Sequence, residues 1–137
     1  MTAGEILRSR LLTIAAVTAL VADRIYLVML PQNFNATGIR IERVSDVATP
    51  HARGSGAPWT DRVQLDILAP TVAEAYAIDA AAYGNGAGSA LAGFVGSVGS
   101  ARVLVVHPDS VREIYEPTET RLVRVIREYF VSFTESR

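Results

Sequence analysis

One stretch constrains the fold more than any other: Arg62-Val-Gln-Leu-Asp-Ile-Leu-Ala-Pro-Thr-Val-Ala-Glu-Ala75. Val63, Leu65 and Ile67 alternate with Arg62, Gln64 and Asp66, the period-2 pattern of a strand with one buried face. Pro70 has no amide to give to a ladder, so the strand stops there. Thr71 stands three residues before Glu74, the spacing of a capping box. There the hydroxyl accepts from the third amide of the helix and the carboxylate reaches back to the cap. A strand that turns at once into a helix is therefore written into fourteen consecutive residues.

The same cap spacing recurs at Thr2 and Glu5, before an apolar run. It predicts an opening helix from about Ala3 to Ala22. Leu7, Leu11 and Ala15 lie on one stripe, with Ile14, Val17 and Val21 beside it. The run is too short to span a bilayer. Glu5 in the would-be basic region and Leu20 near the would-be cleavage site argue against a secretory signal.

A short segment at Ile25–Val28 follows, stopped by Pro31, and then a strand with Ile39 and Ile41 facing inward. Its expected partner is the Arg62–Leu68 strand. Residues 48–61 form the long connection between them, with Pro50, Gly54, Gly56 and Pro58. Loops of that length commonly carry function. The helix from Thr71 has a small stripe, Ala75, Ile78 and Ala82, with Val72 above. Its glycine-rich sequel predicts a stop between Tyr83 and Leu91. Arg102–His107 reads as a strand ended by Pro108. Val111–Tyr115 and Arg121–Thr134 read as a hairpin around residues 116–120. The resulting fold class is α+β: a single two-layer domain with a mainly antiparallel sheet and two helices on one face.

Composition removes several chemistries. There is no cysteine, and every basic residue is arginine. Thiol catalysis, disulfides, zinc–cysteine sites, lysine Schiff bases and Walker A loops are excluded. The two histidines, His51 and His107, lack metal-ligand spacing, and no Gly-x-Ser-x-Gly elbow occurs. Gly84-Asn-Gly-Ala-Gly88 follows a helix rather than opening one, so it does not make a phosphate cradle. A net charge of −1 gives no basic surplus for gripping duplex DNA. No enzyme activity, cofactor or metal is expected.

Two regions invite contact with other chains. Trp59 and Arg53, with His51, lie in the long loop, and Trp and Arg are enriched at interface hot spots. A Trp folded back over its own sheet is the alternative. On the last strand Val123, Val125, Tyr129, Val131 and Phe133 share one face. The other carries Leu122, Arg124, Ile126, Glu128 and Phe130, neither plainly polar nor plainly buried. Such a face suits either a neighbouring chain or partial cover within the subunit. The charges Arg124, Arg127 and Glu128 suit a solvated face or charge pairs between neighbours.

The order of segments also resembles a family. It runs from an opening helix to Arg24-Ile25-Tyr26, Leu30-Pro31-Gln32 and the Ile39–Ser45 strand. The His51–Gly56 loop, the Arg62–Asp66 strand, the Thr71–Ala75 helix start and the aromatic Tyr129–Phe133 strand complete it. This succession resembles the tail-completion proteins of long-tailed phages, also called tail terminators or tail-to-head joining proteins. The glycines between Gly84 and Gly96 depart from that pattern. The resemblance implies a virion structural protein assembled in a bacterial host's cytoplasm. Copies would form a ring, typically a hexamer, on the head-proximal end of the tail tube. Its partners would be itself, the tail tube protein and a head completion protein, with DNA passing through the ring without specific binding and no membrane involved. His51, Arg53, Trp59, Arg124, Arg127, Glu128 and Phe130 would be its interface. Another neck or tube component, and a small ligand-binding or regulatory α+β domain, remain as alternatives.

Overall fold

A computed structural model describes residues 1–48, 58–115 and 122–135. His51, Arg53 and Arg121 lie outside them. The described residues form helices α1 (Ala3–Leu12), α2 (Ala15–Val21) and α3 (Val72–Tyr83). The strands are β1 (Ile25–Leu27), β2 (Gly38–Ala48), β3 (Trp59–Ala69), β4 (Gly96–Val98), β5 (Ala101–Tyr115) and β6 (Val123–Glu135). One six-stranded sheet runs in the order β1-β2-β3-β6-β5-β4. Only β1 pairs in parallel; every other pairing is antiparallel. The chain is thus α+β and mainly antiparallel, as the sequence predicts.

The strand-to-helix junction forms where the sequence places it, with one half of the expected capping box. β3 ends at Ala69, before Pro70, and the Glu74 amide donates to Thr71 Oγ1 at 3.2 Å. The Thr71 hydroxyl donates to Glu74 Oε2 at 3.0 Å, so the carboxylate meets the cap's side chain. At α1 both halves of the capping box close: the Thr2 amide to Glu5 Oε2 at 2.7 Å, and the Glu5 amide to Thr2 Oγ1 at 3.1 Å.

The opening helix is two helices, not one. Thr13 Oγ1 donates to the Arg10 carbonyl at 2.6 Å, and the last turn of α1 tightens. Ile14 is then extended and caps α2. A threonine hydroxyl that bonds back to the preceding turn competes with continued helix. Two β-branched residues in succession add to that. The bend turns Val17 and Val21 into the core and leaves Ala15 exposed, contrary to the continuous stripe expected. The breakage is also why there are three helices rather than two.

β5 likewise differs from expectation. Pro108 does not end it; the ladder to β6 shifts register between Pro108 and Val111 and resumes to Tyr115. A bulge on a strand near the sheet's rim accommodates a residue with no amide. β4 has no counterpart in the sequence reading.

The core joins alternate strand residues to the helices. Ile39, Ile41, Val63, Leu65, Ile67, Val125, Tyr129 and Val131 meet Ile6, Leu7, Leu11, Val17, Ile78 and Ala82, all buried. Ala75, Ile78 and Ala82 face inward as read, whereas Val72 is exposed. One ion pair interrupts the apolar contact. Arg127 clasps Asp79 of α3 with two bonds of 2.7 Å, and its guanidinium lies 4.8 Å from the Tyr83 ring centre. This pair holds α3 on β6.

α3 stops at Tyr83 because Gly84 takes a φ of 82°, and a Cβ there would sit 2.6 Å from Ser89 Oγ. The glycine-rich segment that follows is tied to α1. Arg10 donates to the carbonyls of Gly88 at 3.1 Å and Ser89 and Ala90 at 3.3 Å, and lies 4.0 Å over the Phe94 ring. The departure from the family pattern is therefore a loop clamped by an arginine.

Candidate interaction surface

The strand residues that turn away from the helices carry a charged network. On β3 these are Thr60, Arg62, Gln64, Asp66 and Leu68; on β6 they are Leu122 at its start, Arg124, Ile126, Glu128, Phe130 and Ser132. Cross-strand registry puts Arg62 beside Phe130 and Gln64 beside Glu128. Arg62 Nε donates to Glu128 Oε2 at 2.8 Å, and Nη2 reaches Asp109 on β5. Ser110 donates to the same Glu128 oxygen at 3.2 Å. The Arg62 guanidinium lies 5.2 Å from the Phe130 ring centre. Hydrogen bonding to Glu128 raises the pKa of Arg62 above its ordinary value, and a guanidinium is charged in either case.

A second cluster lies towards the β1 end. Arg40 Nε donates to Asp66 Oδ2 at 2.9 Å, and Gln64 Nε2 donates to Asp66 Oδ1 at 2.7 Å. Asp66 is fully buried although no helix covers it. The β1–β2 connection contributes here: Leu30, Pro31 and Phe34 line one depression together with Arg40, Leu68, Leu122 and Arg124. The sheet face opposite the helices is thus partly covered within the subunit.

Of the residues singled out in the sequence, Arg124, Glu128 and Phe130 do share this face. Arg127 does not: strand parity sends it to the opposite side, where Asp79 accepts from its Nε and Nη2. Trp59 is 45% exposed at the far end of β3, opposite Phe133. It borders a depression with Met1, Arg43, Asp61 and Glu135, where the amino terminus pairs with Glu135.

Sequence reasoning missed the edges of the sheet. β1 covers β2 only at Ile39–Ile41, with one further bond from the Val28 amide to the Ile41 carbonyl. β4 covers β5 only at Ala101–Val103. Gly93 and Phe94 bond to Val106. Among the described residues nothing pairs with the outer side of β2 beyond Ile41, or of β5 beyond Val106. Exposed apolar side chains lie near both edges: Leu27, Val28, Met29 and Val44 at one, Leu104, Val105 and Val111 at the other. The groove between the start of α1 and the β1–β2 edge has a volume of about 480 Å³. The signal was present in sequence as apolar residues in strands of uneven length, but only pairing reveals which are edges.

Among the described residues no cluster of three or more His, Asp or Glu could hold a metal ion. No described helix is long and apolar enough to cross a membrane.

No protein-family model matches the chain, and no curated protein matches it. Among solved structures, it is similar in fold to a chain in a structure titled "Virion of native gene transfer agent (GTA) particle". The TM-score is 0.67 and the identity 16%, covering 98% of this chain and 95% of that one.

Proposed function

We propose that this chain is a structural protein of a phage-like virion, in which copies close into a ring, six by family resemblance. The ring would cap the head-proximal end of a tail tube, end its growth and present a surface to the head's completion protein. The observation that carries this is the likeness of fold to a chain of a gene transfer agent virion, which extends over nearly the whole length of both chains. The order of segments noted in the sequence points the same way.

The mechanism is geometric. A heterologous contact that closes on itself makes a ring. If one face of the ring copies the tube subunit's contact and the other does not, polymerisation ends. The charges on the sheet face opposite the helices are consistent with a passive conduit. Arg40 and Arg62 are each paired with carboxylates within the subunit, which reduces what that face offers to phosphate. Catalysis has no part in this function, and neither does a cofactor.

The test adds purified protein to growing tail tubes and images them. Rings at one tube end and a halt to elongation are expected. Tubes that elongate unchanged with no bound density would refute the proposal.

A further inference from the structure

We infer that copies of this chain join edge to edge, the outer side of β2 receiving β5 of the next copy as an added antiparallel strand. This rests on the ring proposed above and names the surfaces that build it.

Both edges are half finished. Among the described residues β2 is covered at Ile39–Ile41 and open from Glu42 to Ala48; β5 is covered up to Val106 and open from His107 to Tyr115. Open edges with exposed valines invite pairing, and monomeric proteins usually blunt them. Val44 is 50% exposed on one edge and Val111 is 48% exposed on the other.

Topology fixes the direction. β2, β3, β6 and β5 alternate in direction, so β2 and β5 run opposite ways. A neighbour related by rotation about an axis along the strands therefore presents β5 antiparallel to β2. The contact is heterologous and can close.

Charge selects the occupant. Glu42 lies opposite Gln64, and Arg112 lies opposite Ile126, so both project to the sheet face away from the helices. Among the described residues neither has a hydrogen-bond or ion-pair partner. One edge offers a carboxylate and the other a guanidinium, which favours β2 against β5 over β2 against β2.

The open stretches overlap but are offset along the sheet. Glu42 to Ala48 is level with Trp59–Gln64 of β3, whereas His107 to Tyr115 is level with Val123–Phe130 of β6, which pair with Arg62–Ala69 of β3. Bringing them together staggers neighbours by roughly four residues, about 13 Å, across four strands about 19 Å wide. That corresponds to a strand tilt of about 35°, within the range closed sheets adopt. Pro108, with no amide, then falls where the added ladder ends.

The test uses the absence of native cysteine. Full-length Val44→Cys/Val111→Cys is treated with a short bismaleimide, beside each single variant and a mixture of the two singles. The double variant should give a covalent ladder of increasing copies, each single alone only monomer, and the mixture a dimer. Glu42→Arg or Arg112→Glu should each cut the ladder several-fold, and the two together should restore it. A dimer from Val44→Cys alone means two-fold β2 pairing and overturns the inference, as does the absence of a ladder at every concentration. The native mass of the untreated chain separates the failures. A closed ring without a ladder leaves the ring standing on another surface; a two-fold dimer removes the ring as well.

Discussion

β3 and β6, in the middle of the sheet, are paired on both sides from Trp59 to Leu68 and from Val123 to Phe133. β2 and β5 are paired along one side and about halfway along the other. In the middle, inward side chains are buried against the helices and outward charges are matched across strands. At the edges, valines and single charges stand open. Burial at the centre supplies folding free energy, and the same residue types at the edge supply none until something covers them. The centre should therefore govern stability, and the edges association.

The largest effect is expected where the centre holds a charge. Arg127→Ala leaves Asp79 against the core without its two hydrogen bonds, at a cost of about 3 kcal/mol in chemical denaturation. A loss below about 0.5 kcal/mol would show that the clasp does not hold α3.

A smaller effect of opposite sign is expected at Tyr129. Its side chain is buried and its hydroxyl has no hydrogen-bond partner among the described residues. Tyr129→Phe should stabilise the chain by about 1 kcal/mol. Burial also raises the tyrosine's pKa in the folded state. The neutral form is thus favoured by folding. Its contribution is complete below the unfolded value near pH 10 and is lost as pH rises beyond it. The wild-type chain should weaken above about pH 10 more steeply than Tyr129→Phe; parallel profiles would place the alkaline loss elsewhere.

The smallest stability effect, and the sharpest contrast, belongs to the edge. Val44→Ser should change unfolding by no more than about 0.5 kcal/mol while shifting the assembled fraction towards monomer in sedimentation. A stability loss of core size with unchanged assembly would erase the distinction between centre and edge.

Local signals made the centre legible in sequence. The Thr71–Glu74 cap, the alternation of Val63, Leu65 and Ile67, and the two faces of the last strand all depend on residues within one element. The helix break was hidden because apolar periodicity runs through Thr13 and Ile14 while a single hydroxyl bond to Arg10 ends the turn. Pro108 reads as a stop, but a register shift absorbs it. Arg127 was grouped with Arg124 and Glu128 by proximity in sequence, although strand parity already separated them. The open edges depend on how far β1 and β4 reach along their neighbours, which is a property of pairing and not of any segment. His51 and Arg53 lie outside the described residues, so the long loop adds nothing to this comparison.

Hydrogen exchange across a concentration series tests the division most directly. Amides of residues 59–68 and 123–133 should be protected equally at every concentration. Those of residues 42–48 and 107–115 should gain protection together as the chain assembles. Edge amides that stay unprotected in the assembled state, or that are already protected to the level of the centre in the monomer, would contradict the account.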